Sequence, residues 1–129
     1  MSGGVNEYTA SYVNNGNGNL TRYGSSLVNA AAEYKDVYTS SGDTQAGNYS
    51  ANSKKVGDAV YETSSNINGS YSWHGDYSYM PSWDYPFFMR GGYYADTTIS
   101  GIFYFDDSYN AHANSRSGFR PVLIVDGTL

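Results

Sequence analysis

The chain has 129 residues, 40% of them hydrophobic, which suits one packed domain spanning residues 1–129. Twelve Asp and Glu against seven Lys and Arg leave a net charge of −5, the wrong sign for neutralising phosphates, so no nucleic-acid partner is expected. The absence of cysteine removes disulfides, thiolate metal sites and thiol nucleophiles.

The longest aliphatic stretch, Pro121-Val122-Leu123-Ile124-Val125, is far shorter than the roughly 20 apolar residues of a membrane span, so no membrane insertion is expected. Met1-Ser2-Gly3-Gly4 offers neither the basic nor the apolar region of a secretion signal. What stands out is the surplus of Tyr, Ser, Gly and Asn, with 15 tyrosines beside two tryptophans. Binding surfaces use this mixture, because Tyr gives a large amphipathic contact with few torsions to freeze while Ser, Gly and Asn adapt their hydrogen bonds. A chain rich in turns has the same composition, so both readings stay open at this point.

In chain order, residues 5–13 read as extended, with strand formers Tyr8, Thr9, Tyr12 and Val13, and the Asn/Gly run 14–19 forces a turn. Residues 25–38 are the helix candidate: Ser25 or Ser26 caps it, and Leu27, Ala30, Ala31, Tyr34 and Tyr38 share one face. A polar loop is expected over 40–55, then a short strand at Ala59-Val60-Tyr61. Residues 66–85 read as a loop pinned by the aromatics Trp73, Tyr77, Tyr79 and Trp83 together with Met80. Three strands are expected at 87–90, 101–105 and 119–125, spaced by about 15 residues as an antiparallel meander.

Three of these segments carry landmarks. Phe88-Met89-Arg90-Gly91-Gly92, Ser100-Gly101-Ile102-Phe103 and Ser117-Gly118-Phe119-Arg120-Pro121-Val122-Leu123 follow one another in order, and Gly4-Val5-Asn6-Glu7-Tyr8-Thr9-Ala10 precedes them. Together they resemble the Arg-Gly-Gly, Gly-x-Phe and Gly-Phe-Arg pattern of formylglycine-generating-enzyme-like domains. That branch includes variable proteins diversified by retroelements in phages and bacteria. The resemblance covers most of the chain and is most specific over residues 87–125. It implies an α+β domain of C-type-lectin-like fold, with a small antiparallel sheet, one or two helices and long ordered loops. The oxidase members of the family work through a copper-holding cysteine pair, and this chain has no cysteine. No enzymatic activity is therefore carried over, and members also have a longer N-terminal part.

As scaffold, the landmarks have physical sense: Gly91 and Gly92 let the chain turn after a strand, and Phe103 and Phe119 fill the core. Arg90 and Arg120 sit in apolar runs and need carboxylates or carbonyls, with Glu7 and Glu62 as the candidate partners. No metalloprotease, phosphate-loop, dinucleotide or nucleophile-elbow motif is present, so no catalytic residue and no cofactor are expected. The two histidines stand apart, His74 near Asp76 and His112 alone. Asp106-Asp107 with Asn110 and Asn114 supplies oxygens that could hold calcium, but solvated turns use the same residues, and no metal is expected.

In the diversified relatives, adenine-directed mutagenesis varies Asn-type codons between the landmarks. Tyr93, Ala95, Asp96, Thr98, Ile99, Tyr104, Asp106, Asp107, Tyr109, Asn110 and His112 all belong to the residue set this permits. The resemblance thus implies a ligand-binding face made of these positions and the aromatic loop residues Trp73, His74, Tyr77, Tyr79, Trp83 and Tyr85. A few aromatic anchors in a polar rim would supply the affinity. The expected partner is a protein or glycan receptor on a host or neighbouring cell, met from a phage tail or bacterial surface. A protein is preferred because nothing in the sequence marks a deep polar pocket. The alternative is a structural tail or carbohydrate-binding domain without diversification.

Overall fold

The strand formers Tyr8, Thr9, Tyr12 and Val13 do build an extended segment, β1 (Asn6–Asn14), and the rest of the sheet assembles on it. In the computed structural model, residues 4–52, 60, 68–69, 75–110 and 114–118 are described. The other strands are β2 (Asp36–Thr39), β3 (Asn68–Gly69), β4 (Ser78–Tyr79), β5 (Phe87–Arg90), β6 (Phe105–Ser108) and β7 (Ser117–Gly118). Their order is β2-β1-β5-β6-β4-β3, with β7 also beside β1.

The sheet is mixed, whereas a purely antiparallel one was expected. β5 runs antiparallel to both β1 and β6, while β2 and β7 lie parallel to β1 and β4 lies parallel to β6. The parallel β1–β2 pair follows from a crossover, since α1 (Gly18–Tyr23) and α2 (Ser25–Asn29) intervene and return the chain to the same end. With its short helices, the described chain is a small α+β domain around this sheet.

The expected helix over 25–38 is broken. α2 ends at Asn29, Ala30 and Ala31 are extended, residues Ala32–Tyr34 make one 3-10 turn, and residues 36–39 become β2. The pairing of Val13 with Tyr38 explains the difference, because it buries Tyr38 to 5% exposure, more than a helical stripe of alanines could gain. α1 arises inside the expected turn, where the Asn17 side chain accepts from Asn19 N–H at 2.7 Å and caps the helix.

The expected polar loop over 40–55 instead holds α3 (Gln45–Asn52). Its inward residues, four apart, are Asn48 and Asn52, both fully buried. Asn48 accepts from Ser41 N–H at 2.7 Å and donates to Pro81 C=O at 2.7 Å. Asn52 accepts from Thr39 N–H at 3.0 Å and donates to Thr39 and Asn48 carbonyls. A helix anchored by polar residues leaves no hydrophobic period to read. Val60 lies in a helical turn, not in the expected strand; Ala59 and Tyr61 are outside the described residues.

The strand at 87–90 is found where expected. Its first three residues are all buried, as in a strand covered on both faces. Neighbours alternate: Phe87 joins Tyr12 and Leu20 with α1 and α2 packed against them, while Phe88 joins Val13, Tyr38, Val60, Met80 and Phe105. The third expected strand, 119–125, lies outside the described residues, as do Phe119 and Arg120.

Candidate functional site

β5 delivers the chain to Gly91 and Gly92, whose φ values of 91° and 65° suit glycine, so the expected turn is present. At Gly92 a Cβ would also fall 2.2 Å from Ser100 Oγ. The chain then enters a 3-10 segment, Tyr94–Ile99, kinked at Thr97 with φ 54° and ψ −121°. Asp96 accepts from Tyr93 N–H at 2.9 Å and closes the first turn. Ala95 and Thr98 are exposed, whereas Tyr93, Asp96 and Ile99 are half-buried. Tyr94, absent from the expected face, is 76% exposed.

The strand expected over 101–105 begins only at Phe105. Gly101 packs so closely on buried Asp76 that a Cβ would lie 1.9 Å from its carboxylate, and the same carboxylate accepts from Phe103 N–H at 2.9 Å. This anchor holds residues 101–104 in a turn. It also shifts the core assignment: Phe103 is half-buried, while Tyr104 and Phe105 are buried. Tyr104, expected on the exposed face, is only 3% exposed. Arg90 lies opposite Glu7 in the β1–β5 register, with its guanidinium 5.9 Å from the Phe105 ring centre, and burial lowers its pKa. Glu62 is outside the described residues.

Strand alternation sends Asp106 and Asp107 to opposite faces. Asp106 accepts from Tyr104 O–H at 3.1 Å, and Asp107 accepts from Gln45 Nε2 of α3 at 3.1 Å. Burial pushes the Asp106 carboxyl up to about 6. Burial, then the Asp106 charge, pushes Asp107 up to about 7. Both groups hold protons more tightly folded than unfolded, so their stabilisation is complete below the ordinary value of 3.8 and is lost as pH rises through 6 and 7. Asp107→Asn should therefore gain roughly 2 kcal/mol over the parent at pH 8, with the advantage vanishing near pH 4. Urea titrations at the two pH values check this, and a variant less stable at pH 8 would contradict it.

The two expected sets of residues meet through their rings. Tyr79 and Tyr77 stack at 4.7 Å, and Tyr77 stacks on Tyr104 at 5.8 Å. Tyr85 meets Tyr109 edge-on at 6.4 Å, and Tyr109 also touches Tyr23 of α1, with ring centres 5.5 Å apart and hydroxyls 3.0 Å apart. Tyr85, Tyr109 and Trp83 are exposed, with the Trp83 N–H held by Asp43 C=O at 3.1 Å. Trp73, His74 and His112 lie outside the described residues.

Beneath the 3-10 segment lies an open cavity of about 450 Å³. Tyr93, Asp96, Tyr104, Asp106 and Asn110 contribute to its wall, joined by Asn6 and Tyr8 of β1, Met89 of β5, Ser108 of β6 and residues 114–117. Tyr8 O–H donates to Asn110 C=O at 2.6 Å, which ties β1 to the chain just beyond β6. Arg116 lies at the rim with its guanidinium 5.2 Å from the Tyr93 ring centre. Nothing in the sequence marked this open cavity. Its walls come from both ends of the chain, and neither Asn6 nor Arg116 carries a local pattern that would mark it. Among the described residues, no group of three or more His, Cys, Asp or Glu is placed to hold a metal ion, and no helix is long and apolar enough to cross a membrane. No family model, curated protein or solved structure matches the chain.

Proposed function

We propose that the chain is a non-enzymatic ligand-binding domain on a C-type-lectin-like scaffold, whose recognition face joins residues 93–110 to the aromatic loop 77–85. The reading includes display of variable residues on that face, on a phage tail or bacterial surface, toward a protein or glycan receptor. The observation that carries it is the pair of ring junctions, Tyr77 on Tyr104 and Tyr85 on Tyr109, which join two segments separate in sequence at two points, one at each end of β6. Exposed Tyr85, Tyr109 and Trp83 supply rigid anchor area, and the exposed side chains of Tyr94, Ala95 and Thr98 stand beyond the packed core.

Asp107 belongs to the scaffold in this reading, because it faces α3, and so does buried Tyr104. Diversification has a direct test in the surrounding DNA. The expected finding is a reverse-transcriptase gene close by and a near-copy of the codons for residues 90–120 that differs at adenines. A locus with neither would remove diversification and leave a lectin-like binding domain of fixed specificity.

A further inference from the structure

We propose that the cavity under the 93–99 segment binds an organic cation, an alkylammonium or guanidinium group. The inference rests on the reading of residues 93–110 as a recognition face and names the chemistry that face accepts. Asn6 contributes to the cavity wall and is 8% exposed, and its buried carboxamide oxygen accepts no hydrogen bond. A buried acceptor without a donor is destabilising, and a ligand bearing N–H groups would supply one. Two carboxylates, Asp96 and Asp106, share the same wall. They accept from Tyr93 N–H, and from Asp107 N–H and Tyr104 O–H, and retain lone pairs for further donors.

The remaining walls also suit a cation. Tyr93 and Tyr104 contribute to the cavity wall, and aromatic ring faces attract ammonium and guanidinium groups. Arg116 already uses the Tyr93 ring in this way at the rim. Among the described wall residues, Asp96 and Asp106 outnumber the one cationic side chain, Arg116, so the wall favours a further cation over an anion. The cation can come from a Lys or Arg side chain on a partner protein or from a free small amine.

The test is side-chain amide NMR of Asn6 in the whole chain, titrated with n-butylammonium, n-butylguanidinium, butyrate and methyl glucoside, and with blocked pentapeptides carrying a central Lys or Arg. Both free cations should shift the Asn6 amide and saturate, butyrate and methyl glucoside should not, and Asp106→Asn should weaken the cations at least tenfold. Asp106→Asn is expected to fold, because burial already disfavours the charge it removes; Tyr93→Leu serves as a second variant with the same expected loss. Tighter binding of the peptides points to a partner side chain, and equal binding points to a free amine. Saturable binding of methyl glucoside or butyrate at Asn6, or no shift with either cation, overturns the proposal. That failure is separable from failure of the wider reading, which would show instead as a 93–110 segment that cannot be varied without unfolding.

Discussion

Phe105→Ala should destabilise the fold by about 3–5 kcal/mol, the range for removing a buried Phe side chain. Phe105 is fully buried at the junction of the sheet with its main core cluster, its ring centre 6.4 Å from that of Phe88. Its N–H donates to Tyr77 C=O at 3.1 Å, and it pairs with Arg90 across β5–β6. The truncation therefore opens a cavity where β4, β5 and β6 are joined. Urea denaturation with an unchanged m-value measures the loss. A cost below about 1 kcal/mol would mean that the site is at the surface, and the register of β6 would have to be redrawn.

Asn48→Ala should cost about 2–4 kcal/mol, although the side chain is polar and lies on a short helix. Its amide satisfies Ser41 N–H in a part-buried bond and Pro81 C=O in a buried one, so truncation strands two backbone groups, of which the buried Pro81 carbonyl costs the larger share, about 1–3 kcal/mol. The Pro81 bond is buried and ties α3 to the segment before β5. Backbone amide exchange gives a second readout: Ser41 should lose protection even under conditions where the variant remains folded. Near-parental stability together with retained Ser41 protection would show that the Asn48 network does not hold α3.

These two residues also show what the sequence revealed and what it hid. Phe87-Phe88-Met89-Arg90 was legible as a strand because an apolar run between turn formers has few other uses, and Gly91-Gly92 was legible as the turn beyond it. Phe103 and Phe105 differ only in register, which a run of apolar residues does not encode; the Asp76 contact with Gly101 and Phe103 decides it from outside the segment. α3 was hidden because its inward residues are Asn48 and Asn52. β2 was hidden because the Leu27, Ala30, Ala31 and Tyr34 spacing imitates a helix until Tyr38 finds Val13.

The candidate site divides in the same way. Of the face that the resemblance implied, Ala95, Thr98 and Tyr109 are exposed, whereas Tyr93, Asp96, Ile99, Asp106, Asp107 and Asn110 are half-buried and Tyr104 is buried. The opposite orientations of Asp106 and Asp107 appear only once residues 105–108 are known to be a strand. The cavity escaped entirely, since its walls are brought together by β1 pairing with β5 and β7, contacts between opposite ends of the described chain.

The central claim is that residues 93–110 form a face that can vary on a fixed scaffold. The most direct measurement is a display library in which the exposed residues Tyr94, Ala95, Thr98 and Tyr109 vary together, scored for protease resistance and then selected on a single immobilised protein such as lysozyme. Exposed positions change stability by within about 0.5 kcal/mol each, so most members should resist protease like the parent. Binders should emerge that differ from one another only on this face. Protease sensitivity in most of the library, with resistance confined to sequences close to the parent, would contradict the claim.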